Sequence, residues 1–141
     1  MNNAILKEME ILWSSFEKFD VDQKLEAFQR LKESATKEDL PVLLDFLRSE
    51  RNDFWIRELL AEPICDLGGS QCLPELFDAY DLNEEDGHDN DGFNAYLIDL
   101  AFSEPENCKA KLLELLSHQN FKHKDIAIWL IGYCDEYENK K

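Results

Sequence analysis

The residues best placed to do chemistry lie at 81–92, in the stretch DLNEEDGHDNDG. Six acids stand in its first eleven residues, with no base among them. Acids and Asn at alternate positions raise the possibility of calcium binding. A helix–loop–helix calcium loop needs Gly at its sixth position and Glu at its twelfth. Counted from Asp81, Asn83 and Glu85 fit, but Gly87 is seventh and Gly92 is twelfth. Counted from Asp86, the sixth residue is Asp91 and the twelfth is Leu97. Neither register satisfies the loop, so no metal ligand is assigned. Two readings of the stretch remain. It is an acidic docking loop, or a solvated loop whose Asp89 and Asp91 favour the N-terminus of the helix that follows.

Other reactive residues point nowhere more specific. His88, His118 and His123 read as surface histidines, and no acid or Cys completes a zinc spacing around the last two. Cys65, Cys72, Cys108 and Cys134 form no CxxC pair and sit in or beside apolar stretches. There a reduced Cys behaves as a small buried hydrophobe. No GxSxG elbow, glycine-rich phosphate loop or Cys–His nucleophile signature occurs. Carboxylate pairs are too plentiful in so acidic a chain to define an active site. The expectation is a protein that is not an enzyme, with no catalytic residue and no cofactor.

Charge is the stronger signal. The 141 residues carry a net −16, with a pI near 4.4. Residues 58–108 contain fourteen Asp or Glu and no Lys or Arg, so −14 of the total lies there. This argues against binding nucleic-acid phosphates, which need Lys and Arg, and against an anionic membrane surface likewise. It favours a basic protein partner. The N-terminal stretch MNNAILKEMEILW lacks the basic start and unbroken apolar run of a signal peptide. No stretch approaches the roughly 20 apolar residues of a membrane span. A cytoplasmic monomer is expected.

The elements that must position these acids all read as helices. At 44% hydrophobic residues the chain can build a packed core, and its length fits one domain at 1–141. Ile5, Leu6, Met9, Trp13, Phe16 and Phe19 recur at three and four residues, predicting a helix at 3–18. Asp20 or Asp22 can cap a second helix striped by Leu25, Phe28 and Leu31. Thr36 and Asp39 have capping-box spacing before LPVLLDFL. Asn52 or Asp53 caps a fourth helix that should kink at Pro63 and stop at Gly68 and Gly69. LPELFDAY is the fifth, followed by the acidic loop. Asp91 can cap a sixth at 92–103, Pro105 opens a seventh, and an eighth starts at Asn120 or Lys122 and ends near Asp135, with frayed residues after it. No two-residue alternation occurs, so no sheet is expected.

Three segments align with one another: LPVLLDFL, LPELFDAY and KAKLLELL, starting at Leu40, Leu73 and Lys109. Their starts are 33 and 36 residues apart, the period of stacked helical hairpins. Each is followed by a second apolar helix. Together with Asp53, Arg57 and Leu60 at the opening of the first such second helix, the pattern resembles HEAT-type repeats over about residues 36–135. As a whole the chain is similar to small acidic bacterial HEAT-repeat and immunity-type proteins. The resemblance implies an all-α fold, an α-α superhelix of about four hairpins, with units at 1–35, 36–69, 70–104 and 105–136. The chain departs from the pattern in the acidic loop of its second unit and in Lys124, which stands where the repeat Arg would be.

In such a superhelix the second helices line the concave face. Trp55, Glu58, Glu62 and Asp66 share one side of the first of them, opposite Ile56, Leu59, Leu60, Ile64 and Leu67. The positions equivalent to Glu58, Glu62 and Asp66 are Ala95, Asp99 and Ser103, then Asp125, Trp129 and Tyr133. With Glu84, Glu85, Asp86, Asp89 and Asp91 of the loop they form the candidate partner-binding surface. Acids beside aromatics suit Lys and Arg on another protein. The contrary reading makes the acids a solvated face and the aromatics core. Three functions are therefore set against each other. The first is an immunity-type inhibitor that masks a basic toxin or effector. The second is a scaffold or adaptor without inhibitory role. The third is a HEAT-like lyase or metal-dependent enzyme.

Overall fold

A computed structural model describes residues 3–139. Among the described residues there are eight α-helices: α1 (Asn3–Trp13), α2 (Val21–Ser34), α3 (Leu40–Leu47), α4 (Phe54–Gly68), α5 (Leu73–Glu85), α6 (Asp91–Ser103), α7 (Pro105–Leu116) and α8 (Lys124–Glu138). Two 3-10 turns, Lys37–Asp39 and Gly69–Cys72, lead into α3 and α5. No strand occurs among the described residues. None of these helices is long and apolar enough to cross a membrane.

The helix ends follow from local chemistry. Asp20 starts α2 with a full capping box. Its carboxylate accepts from the Gln23 N–H at 2.8 Å, and the Gln23 side chain accepts from the Asp20 N–H at 2.9 Å. Ahead of α3, the Asp39 carboxylate accepts from the Thr36 N–H at 2.9 Å and from its hydroxyl at 3.2 Å. Asp53, rather than Asn52, caps α4 by accepting from the Ile56 N–H at 2.9 Å. Asn52 turns the other way. It donates to the carbonyls of Phe46 and Leu47 at the end of α3 and accepts from the Trp13 indole at 2.7 Å. The helix α4 runs through Pro63 and ends where Gly69 takes φ 60°, a left-handed value that Gly adopts without penalty.

Several boundaries differ from the sequence reading. The first helix ends at Trp13, because residues 14–19 form turns held by bonds such as Ser14 N–H to Ile11 C=O. The helix α5 runs on through Glu85, so the acidic loop shrinks to residues 86–90. Asn90 precedes α6, and Asp91 is its first residue rather than its cap. The last helix begins two residues after Lys122 and extends to Glu138. Of the tail expected to fray, Lys140 and Lys141 lie outside the described residues.

One continuous apolar cluster runs from Ile5 on α1 to Cys134 on α8. The helices pack in two rows. In one, α3 touches α5 and α5 touches α7; in the other, α4 touches α6 and α6 touches α8. The pairs α3/α4 and α7/α8 also pack closely, and α1 packs on α2. By contrast α5 and α6 touch each other far less. Polar side chains hold that junction instead, as described next.

Candidate functional site

The second row, α4, α6 and α8, carries the candidate surface. Between α4 and α6 lies a groove of about 580 Å³, lined by Glu62, Cys65, Asp66, Tyr96, Asp99, Leu100, Phe102, Ser103 and Glu104. Four carboxylates line it, and none of the lining residues is Lys or Arg. The placement follows from helical spacing. Glu62 and Asp66 are one turn apart on α4, while Asp99 and Phe102 are nearly one turn apart on α6. Asp66 and Asp99 are exposed. Glu62 is already engaged, at 3.1 Å from the Lys32 ammonium and 3.4 Å from the Tyr96 hydroxyl. Glu104 accepts from the Ser70 N–H at 2.7 Å and so ties the start of α7 to the turn before α5.

The groove's electrostatics show in its neutral acids. Burial, with the charge and hydrogen bond of Glu62, pushes the Tyr96 phenol up to about 12. Burial also pushes the Cys65 thiol well above its ordinary value, and the charges of Asp66, Asp99 and Glu104 add to the effect. Burial comes first for both groups, and the neighbouring carboxylates raise them further.

An aromatic ladder borders this groove. Phe102 is 66% exposed and meets Tyr137 edge-on at 5.1 Å. Tyr137 stacks on Tyr133 at 6.2 Å, and Tyr133 meets Trp129 edge-on at 5.2 Å. Trp129 is 37% exposed and Tyr133 is half-buried. The spacing of four residues along α8 puts the three rungs on one stripe. At the Trp129 end lies a second cleft, also of about 580 Å³. Tyr80, Asp81, Glu84, Asn94, Lys122, Lys124 and Asp125 are among the residues that line it. Its charges are mixed, since both lysines face it.

The loop acids do not all join this surface. Asp86 sits 2.8 Å from Arg57 Nη1. The Arg57 guanidinium is buried and also donates to Asn83 Oδ1 at 2.7 Å. Asn83 in turn donates to Asn90, and Asn90 donates to the Tyr80 carbonyl. This chain of amides closes the α5–α6 junction, with His88 stacked on Phe54 at 3.5 Å beside it. Asp86 is thus held by Arg57 at the junction rather than standing free as a loop acid. Glu85, Asp89 and Asp91 are exposed, and Asp89 accepts from the Asp91 N–H at 3.2 Å. Glu58 is half-buried with its carboxyl against Gly92 in the first turn of α6. Burial first, then the charges of Asp89 and Asp91, hold its carboxyl above the usual range. Trp55 is half-buried and packs on Phe16 at 6.1 Å.

The structure therefore gathers Glu62, Asp66 and Asp99 in one groove, and Glu84, Asp125 and Trp129 in another. Trp55 and Asp86 lie in neither. The sequence reading missed Phe102, Tyr96 and Glu104 in the groove. Phe102 had a usable signal, since it follows Asp99 at helical spacing. It also placed His123 on the surface, and that is corrected here. His123 is buried, with Nε2 2.7 Å from Asp78 and Nδ1 3.1 Å from Asp81, and its ring clusters with those of Phe77 and Phe121. It fastens the start of α8 to α5. Among the described residues no three His, Cys, Asp or Glu side chains are grouped to hold a metal ion. Comparison with family models, curated proteins and solved structures finds no match to this chain.

Proposed function

We propose that this protein is an acidic protein-binding module of HEAT-like architecture, which masks a basic partner in the manner of an immunity-type inhibitor. One observation carries the reading: the α4–α6 groove gathers four carboxylates, admits no Lys or Arg to its lining, and opens beside an aromatic ladder whose ends, Phe102 and Trp129, are exposed. Lys or Arg side chains satisfy both halves of such a surface, by ion pairing and by lying over the rings. The two-row packing supports the architecture, because stacked hairpins bring first helices against first helices and second against second. The remaining charge of the middle third would steer a basic protein toward the groove from a distance.

The test is affinity capture from the host extract, followed by binding and activity assays on the captured protein. Association should slow by about tenfold or more between low and physiological salt. The double variant Asp66→Lys/Asp99→Lys should bind at least about tenfold more weakly. Capture that is indifferent to both salt and charge reversal refutes the reading. Capture without loss of the partner's activity removes the inhibitory part of it.

A further inference from the structure

Four of the five glycines have a reason within the chain. A side chain at Gly68 would strike Cys72 and Leu40, and one at Gly92 would strike Glu58. Gly69 and Gly87 take positive φ. Gly132 has none. It lies in the middle of α8, is exposed, and a Cβ there would meet nothing within 4 Å. Gly is the poorest helix former after Pro, so this position weakens α8 without helping the chain pack. Its neighbours toward the N-terminus of α8 are apolar and largely uncovered, while Asp135 and Glu136 stand one turn ahead. One turn back stand Ile128 and Trp129, 61% and 37% exposed, and next to it Tyr133 begins the ladder toward Phe102. A glycine notch flanked by large exposed side chains admits the close approach of another backbone.

We infer that the outer face of α8, centred on Gly132, seats an amphipathic helix of a basic partner. Its backbone crosses at Gly132, its apolar side lies on Ile128, Trp129 and Tyr133, and its Lys and Arg reach Asp125, Asp99 and Asp66. This rests on the reading of the protein as a binder of basic proteins, and it adds the docking helix and the crossing point. Charge complementarity selects this occupant over a second copy. A second copy would bring its own −16 to a face edged by acids.

The probe is a capped peptide of about 18 residues in which Leu and Lys are patterned as an amphipathic helix, long enough to hold helix when bound. The control is its scrambled isomer, and both are titrated by Trp fluorescence and calorimetry. The patterned peptide should bind at least about tenfold more tightly than the scrambled one. Gly132→Gln fills the notch with a good helix former. It should raise the Tm of the free protein by about 3 °C, yet weaken the patterned peptide by about tenfold or more. Stability and binding then move in opposite directions, which no defect of folding can produce. If Gly132→Gln leaves patterned binding unchanged, or the two peptides bind alike, the α8 seat is refuted. Loss on Asp99→Lys would in that case keep the acidic-binder reading alive. If neither peptide binds at low salt, both readings fall. Concentration-dependent self-association in sedimentation velocity, abolished by Gly132→Gln, assigns the notch to a second copy and overturns the proposal.

Discussion

Replacing Asp86 with Asn tests the assignment of that residue to the fold. Arg57 is buried, and its Nη1 is shared between Asn83 at 2.7 Å and Asp86 at 2.8 Å. Its Nη2 reaches the Asn52 carbonyl at 3.4 Å, while Nε is buried without a partner. The charge is therefore minimally satisfied, and among the described residues Asp86 is the one carboxylate paired with it. Removing one partner of a fully buried ion pair costs about 3–5 kcal/mol. The Asp86 side chain is 46% exposed, so water replaces part of what is lost, and about 2 kcal/mol is the working figure. For a domain of this size that is a fall of about 7 °C in Tm. Chemical denaturation of the wild type, Asp86→Asn, Arg57→Met and the double variant gives the coupling directly. Once the guanidinium is gone, Asp86→Asn should cost less than about 0.5 kcal/mol. If Asp86→Asn is as stable as the wild type, or if the two effects add, Arg57 does not depend on Asp86.

Other perturbations follow from the same geometry. Glu58→Gln should stabilise the protein at pH 7. A carboxyl held above its unfolded value destabilises the fold when ionised, so the gain should shrink as pH falls through its folded pKa and vanish below the unfolded one, as thermal melts across pH 3–8 would show. His123→Ala should cost about 2–4 kcal/mol in urea unfolding, since it empties a site beside Phe77 and Phe121 and releases α8 from Asp78 and Asp81. Cys65 lies on the groove wall with its thiol raised by burial and nearby acids. Its alkylation by a neutral reagent should stay slow at pH 8 and still be rising above pH 9. A plateau near pH 8.5 would contradict a thiol raised by burial and its neighbouring acids.

The helices and many of their caps were legible because they are written locally. The stripe of Ile5 and Met9, Asp20 three residues before Gln23, and Gly69 after α4 all act within one or two turns. The groove was legible in part, since Glu62, Asp66 and Asp99 follow from spacing on α4 and α6. What could not be read was the meeting of distant groups. Arg57 finds Asp86 across 29 residues and His123 finds Asp78 across 45. A buried Arg or His has no periodic signature, and its partners depend on how the helices stack. The acidic run misled for a related reason. Composition marked residues 81–92 as one acidic loop, but Leu73 through Glu85 has enough helical character to carry α5 four residues beyond Asp81.

The amide chain from Asn83 through Asn90 to the Tyr80 carbonyl has one more consequence. A tethered, mobile acidic tail would present its ligands with little more than a total valence, and any polycation of enough charge would satisfy it. Here the turn between α5 and α6 is pinned at both ends, so the carboxylates around it keep set separations. Set separations act as a ruler. Polyamines and unstructured basic tails can match the sum of the charges but must lose their own freedom to match the intervals. A folded surface whose cations already repeat those intervals loses none, so under the proposed binding role selection would follow spacing rather than amount.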